Sequence, residues 1–245
     1  MTATADIPRI RLGMITPSSN TALEPITARL LADTPSVTAH FARLRVTEIS
    51  MGGKALAQFD QAPMLEASSM LADMRPHAIV WNGTSGGWRG LDADRQLCTT
   101  IEERFGVPVT TVTLALVKLL KDKGIGRVGF VTPYTDDVQQ LILGTFAAEG
   151  ISATVSPCLG ISENFAFSTV TEATLDRMVG EAAAARPEAI LPFCTNLPAT
   201  PYAARWEDTY GIPVIDSIAL ATRVGLELSG VSPSIIAGWG RVFSL

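Results

Sequence analysis

Arg75-Pro76-His77-Ala78-Ile79-Val80-Trp81-Asn82-Gly83-Thr84-Ser85 aligns without a gap against Arg186-Pro187-Glu188-Ala189-Ile190-Leu191-Pro192-Phe193-Cys194-Thr195-Asn196, at an offset of 111 residues. Each copy runs from an Arg-Pro pair through a short apolar run into small polar residues. A short apolar run closed by turn residues is what a strand buried on both faces requires. Two further landmarks repeat in the same order. Arg11-Leu12-Gly13-Met14-Ile15-Thr16-Pro17-Ser18 matches Arg127-Val128-Gly129-Phe130-Val131-Thr132-Pro133-Tyr134 at an offset of 116. Phe105-Gly106-Val107-Pro108-Val109 matches Tyr210-Gly211-Ile212-Pro213-Val214 at an offset of 105. Three matches in one order indicate a duplicated unit.

Outward from these landmarks, apolar runs at 10–16, 77–82, 107–112, 127–132, 188–193 and 213–216 read as buried parallel strands. Helical periodicity lies between them, at 55–74, 91–104, 114–122, 136–148, 172–185 and 218–229. Strands alternating with helices imply βαβ units. The expected fold is therefore α/β, with two pseudo-symmetric Rossmann-like halves, each a parallel sheet flanked by helices. The halves are expected at 1–115 plus 230–245 and at 116–229, with the active site in the cleft between them.

Hydrophobic residues make up 47% of the 245, enough for a sizeable core. The net charge of -5 argues against nucleic acid as a partner, which calls for a basic face. No run reads as a signal peptide or membrane span, and a cytoplasmic location is expected. Cys98, Cys158 and Cys194 lack the spacing of a disulfide framework, as fits free thiols in a reducing compartment. No CxxC pair occurs, and His40 and His77 lie far apart, so no metal is expected. No cofactor is expected either, and the composition is compatible with a monomer or a homodimer.

Ligands of open α/β sheets bind beyond the carboxyl ends of the strands. Those ends carry Thr16-Pro17-Ser18-Ser19-Asn20, Gly83-Thr84-Ser85, Thr132-Pro133-Tyr134-Thr135 and Cys194-Thr195-Asn196. Small polar residues before helices are ordinary caps. Four such loops around one cleft instead make a site for carboxylates, held by helix N-termini without formal positive charge. Within it the copies part where the chemistry lies, with Cys194 facing Gly83. A free cysteine is by default a small buried hydrophobe. At a strand's carboxyl end it is better placed as an acid or base, and a helix N-terminus beside it is expected to lower its pKa. Gly83 reads either as a turn glycine or as the place from which a second thiol has been removed. Cys98 and Cys158, the latter in a candidate outer strand, read as structural.

At these residues the chain resembles the aspartate/glutamate racemase superfamily, in the branch of arylmalonate decarboxylase and maleate cis-trans isomerase. The resemblance rests on Pro17-Ser18-Ser19-Asn20-Thr21 with Glu24, Gly83-Thr84-Ser85, Pro133 to Val138, Gly160-Ile161 with Asn164, Cys194 and Gly238-Trp239-Gly240-Arg241. It implies that racemases and isomerases place one cysteine in each half, whereas decarboxylases resemble this chain in having glycine first and cysteine second. Ser18-Ser19-Asn20 and Asn164 resemble the isomerase type. The resemblance thus implies a cofactor-free decarboxylase of a small, aryl- or otherwise substituted malonate-type diacid. Cys194 and Gly83 would set the chemistry, and Pro17, Ser18, Asn20, Thr84, Ser85, Tyr134, Asn164 and Thr195 would bind the dicarboxylate. The alternatives are an isomerase or racemase of a C4 dicarboxylate, and a dicarboxylate-binding protein without turnover.

Overall fold

The computed structural model describes residues 9–245. Residues 1–8, which the sequence reading assigns to the first half, lie outside the described residues. The first half contains β1 (Ile10–Pro17), α1 (Leu23–Leu30), β2 (Val37–Leu44), α2 (Gly53–Ala57), α3 (Gln61–Ala72), β3 (Ala78–Trp81), α4 (Gly86–Arg89), α5 (Leu91–Phe105) and β4 (Val109–Thr111). There follow α6 (Val112–Asp122), β5 (Arg127–Val131), α7 (Asp136–Ala148), β6 (Ser152–Val155), α8 (Asn164–Phe167), α9 (Glu172–Ala184), β7 (Ala189–Pro192), α10 (Ala203–Tyr210) and α11 (Ser217–Leu228). The strands form two parallel sheets, ordered β2-β1-β3-β4 and β6-β5-β7.

The duplication extends to strand register. In the first sheet Leu12 pairs with Ala78, and in the second their counterparts Val128 and Ala189 pair. Ile79 pairs with Val109, as Ile190 bridges Val214. Arg75 and Arg186 each adopt a positive φ, 52° and 49°, immediately before the repeated proline. Gly106 and Gly211 close α5 and α10 in the left-handed conformation, at φ 65° and 72°. A left-handed terminus is where glycine spares a side-chain clash, so both copies keep it.

Three differences from the sequence expectation have physical reasons. The expected strand at 213–216 is a single bridge, because Asp216 turns its carboxylate back to cap α11 at the N–H groups of Ile218 and Ala219. Strand β2 was not expected, and β6 ends at Val155, short of Cys158, where an outer strand was expected and a single bridge to Thr132 forms. Both are edge strands, and β6 is largely exposed, so neither carries a continuous apolar run. Finally, α11, expected with 116–229, packs on β3 and α1 of the first half. A Cβ on its Gly225 would lie 3.3 Å from Leu12 Cδ1. The segment after α11 also spans the halves. The Arg241 N–H donates to Glu207 Oε2 at 2.7 Å, and Arg29 stacks over Trp239.

Candidate active site

The carboxyl ends of β1, β3, β5 and β7 converge on one small cavity. Its lining includes Gly83, Thr84, Tyr134, Asn164, Cys194 and Thr195, with Pro17, Val46, Ile49, Phe59 and Trp88 forming an apolar side. No charged side chain lines it. A hollow of about 760 Å³ between α6 and α11 is far larger but contains none of these residues. Size is here a poor guide to chemistry, because the converging polar groups surround the smaller space.

Cys194 directly follows β7 and Phe193, and is buried. Its sulphur accepts the Asn196 N–H at 3.4 Å, and the Tyr134 hydroxyl on the other side of the cleft favours its charged form. Burial nonetheless dominates and pushes the thiol up to about 11. The lowered pKa expected from the nearby helix start is therefore overturned: the dry cavity penalises the thiolate more than these donors favour it. Cys194 is a neutral thiol at pH 7, a proton donor more than a nucleophile.

Tyr134 is buried and held neutral well above its ordinary range, first by desolvation and then by Cys194. Its oxygen lies 2.6 Å from Thr84 Oγ1. Either hydroxyl can donate in this pair, and with Thr84 as the donor the phenol's proton is free for the sulphur. The result is a relay from Thr84 through Tyr134 to Cys194, joining the two copies across the cleft. The N–H groups of Gly83, Thr84 and Ser85 donate to no backbone carbonyl. Neither α4 nor α7 has a side-chain cap. These loops therefore offer free donors at helix starts, as an anion site requires.

Other expected residues are placed differently. Ser18 is exposed, and its hydroxyl accepts the Val46 N–H at 3.3 Å outside the cavity. The turn after Pro17 points its neighbour inward instead. Ser19 Oγ accepts from Asn164 Nδ2 at 2.7 Å and donates to the Val46 carbonyl at 2.6 Å. Ser85 is buried, but its hydroxyl accepts the Trp81 indole N–H at 3.3 Å and does not line the cavity. Asn20 also faces away from it. Its Nδ2 donates to the Thr195 carbonyl at 2.9 Å, and its Oδ1 accepts the N–H groups of Ala22 and Leu23. Thr195 lines the cavity, yet its hydroxyl is committed to the Asn82 carbonyl at 2.7 Å. Asn20 and Thr195 thus fasten the two halves together.

Gly83 lines the cavity as expected, but the space beside it is filled. A Cβ there would lie 2.1 Å from Cζ2 and 2.3 Å from Cε2 of Trp81. The apolar residues Val46, Ile49 and Phe59 come from the segment 45–60, which carries only the short helix α2 and which sequence reading did not assign to the site. Val46 and Ile49 lie in a stretch with no periodicity, and Phe59 lies in the run expected as a helix over 55–74, which breaks between α2 and α3. This segment is held over the cavity by the Ile49 N–H to the Ser162 carbonyl at 2.8 Å and by the Asn164 N–H to the Thr47 carbonyl at 2.9 Å. The volume of about 20 Å³ has room for no more than one water, less than a diacid fills.

Among the described residues, no three His, Cys, Asp or Glu side chains cluster as metal ligands, and no helix is long and apolar enough to cross a membrane.

Comparison with known proteins places these features in a family. A sequence model for "Arylmalonate decarboxylase" matches residues 12–243. An arylmalonate decarboxylase from Bordetella bronchiseptica is 27% identical over 235 residues, 95% of this chain and 95% of that protein. A maleate isomerase from Alcaligenes faecalis is 28% identical over 247 residues, covering 91% of this chain and 98% of that protein. The crystal structure of a maleate isomerase from Pseudomonas putida superposes with a TM-score of 0.86 at 23% identity, over 96% of this chain and 98% of that one.

Proposed function

From the premise that the chain belongs to the arylmalonate decarboxylase family, we propose that it decarboxylates a small malonate-type diacid without a cofactor, using Cys194 as the proton donor. The observation that carries this reading is the single neutral thiol facing a glycine. One carboxylate is held by Asn164 and the N–H groups of the Gly83–Ser85 loop. The other faces the apolar side formed by Val46, Ile49, Phe59 and Trp88. Breaking the C–C bond sends its electron pair into the retained carboxylate and releases carbon dioxide. The donors that held the carboxylate stabilise the resulting enediolate. The S–H bond of Cys194 then breaks and its proton goes to the α-carbon, after which the thiolate recovers a proton from water. Tyr134 and the Asn196 N–H support the sulphur while it is charged.

Maleate isomerisation is the second reading, favoured by the Alcaligenes relative's name and by the Ser19–Asn164 pair at the cavity. A covalent route would require Cys194 itself to add as a thiolate, which burial disfavours.

Proton NMR in D2O with a panel of malonates and maleate separates these readings. The decarboxylase reading expects a deuterated monoacid from a malonate. Loss of general acid catalysis lowers turnover about 10²–10⁴-fold in the Cys194→Ala variant, with the fold retained by circular dichroism. Full activity in that variant sinks the assignment of Cys194. Fumarate from maleate, with malonates untouched, establishes the isomerase instead. Stabilisation by diacids without turnover of any kind marks a binding protein.

A further inference from the structure

The Trp81 indole is a large group at the site for which the proposed reaction has no use. It is fully buried, and its Nε1 is held by Ser85 Oγ at 3.3 Å. Its six-membered ring stands where a side chain at position 83 would begin, with Cη2 also only 2.8 Å from a Cβ placed there. Beyond the ring lies a hollow of about 110 Å³ lined by Phe59, Met64, Asp94 and Leu97, among others. The second copy makes the contrast plain. There the residue matching Trp81 is Pro192, and two positions later Cys194 carries its thiol without hindrance. One copy has a large ring followed by no side chain, the other a small ring followed by a thiol.

We propose that Trp81 is a specificity-determining residue: its indole takes the space of any first-half side chain at position 83, and so confines proton delivery to the Cys194 side. The one-sidedness of the site then belongs to the pair Trp81 and Gly83, and restoring a thiol at position 83 does not by itself restore a two-sided site. The catalytic consequence rests on the decarboxylase reading, whereas the packing consequence does not.

A double-mutant cycle tests both. Gly83→Cys in the parent overpacks a buried position and lowers Tm by at least ~3 °C. Trp81→Ala also lowers Tm, because it opens a cavity. Adding Gly83→Cys to Trp81→Ala is expected to cost nothing further, since the sulphur enters the vacated space. Trp81→Leu is the milder background if Trp81→Ala does not fold. The stereochemical readout uses a malonate with two different α-substituents in D2O. The parent and Gly83→Cys give one enantiomer of the monoacid. Trp81→Ala/Gly83→Cys gives both, because a second S–H bond breaks to protonate the opposite face and its thiolate is reprotonated by water. The proposal is overturned if Gly83→Cys alone matches the parent in Tm, or costs the same with and without Trp81, or yields both enantiomers while Trp81 is intact. If the parent decarboxylates no malonate, the reading of function fails, and the Tm cycle still decides the role of Trp81.

Discussion

Replacing Tyr134 with Phe removes one oxygen and almost no volume, which isolates the relay at the centre of the site. In the parent, the Thr84 hydroxyl and the phenol share a hydrogen bond across 2.6 Å, and the phenol favours the charged form of the Cys194 sulphur. The ground state loses the acceptor of a buried Thr84 hydroxyl, a cost of about 1–3 kcal/mol. The reaction loses more. Once the thiol has given up its proton, the sulphur is charged in a cavity that already pushes its pKa to about 11, and one of its donors is gone. One preorganised donor of this kind is worth ~2.7–4 kcal/mol, so kcat is expected to fall about 10²–10³-fold with a smaller change in KM. Steady-state kinetics, with Thr84→Val and the double variant alongside, measure this. The two single losses should be strongly non-additive, since they share one hydrogen bond. A Tyr134→Phe enzyme within about twofold of the parent kcat would refute the relay.

Asn20→Ala removes two cap bonds on α1 and the bond to the Thr195 carbonyl, and should cost about 2–4 kcal/mol by urea denaturation; an unchanged midpoint would return Asn20 to a purely ligand-binding role. Asp94 is buried under a hydrogen bond from Thr111, and burial raises its carboxyl from 3.8 to about 6. The folded state therefore holds its proton more tightly than the unfolded chain. The associated stability, ~3 kcal/mol, is complete below about pH 4 and lost as pH rises through about 6. Asp94→Asn should flatten the fall in stability between pH 4 and 7, leaving the parallel slope from Asp216, which burial also raises to about 6. Gln58 ties the segment over the cavity, accepting the Thr47 N–H at 2.7 Å and donating to the Glu48 carbonyl at 3.1 Å. Gln58→Ala should loosen that closure and raise KM severalfold, with little change in Tm; a fall in Tm with KM unchanged would mean that the segment is structural.

The repeat carried the architecture because sheet register follows from local pattern. Once Leu12 is seen to pair with Ala78, the two offsets require Val128 to pair with Ala189, and the paired Arg-Pro turns follow in the same way. Cys194 and Gly83 were legible for the same reason, since a duplicated loop exposes positions at which its copies differ. Edge strand β2 and the bounds of β6 were not, because a half-exposed strand carries no continuous apolar run.

The polar loops were legible as a group but not one by one. Ser18 and Ser19 are chemically identical, and only the turn after Pro17 decides which of them bonds Asn164. Asn20, Ser85 and Thr195 carry groups that could bind a carboxylate, but a neighbour from a distant element claims each first. The state of the thiol was likewise out of reach. A helix start favours the thiolate and burial opposes it, and their balance depends on how tightly the apolar segment 45–60 closes over the sulphur. Sequence by itself determined the two-fold pattern, the loops and the lone thiol, since these follow from residue identity and spacing. Tertiary structure alone decided which donors stay free, that Cys194 keeps its proton, and that Trp81 fills the place opposite, because desolvation and steric exclusion depend on atoms brought together from across the chain.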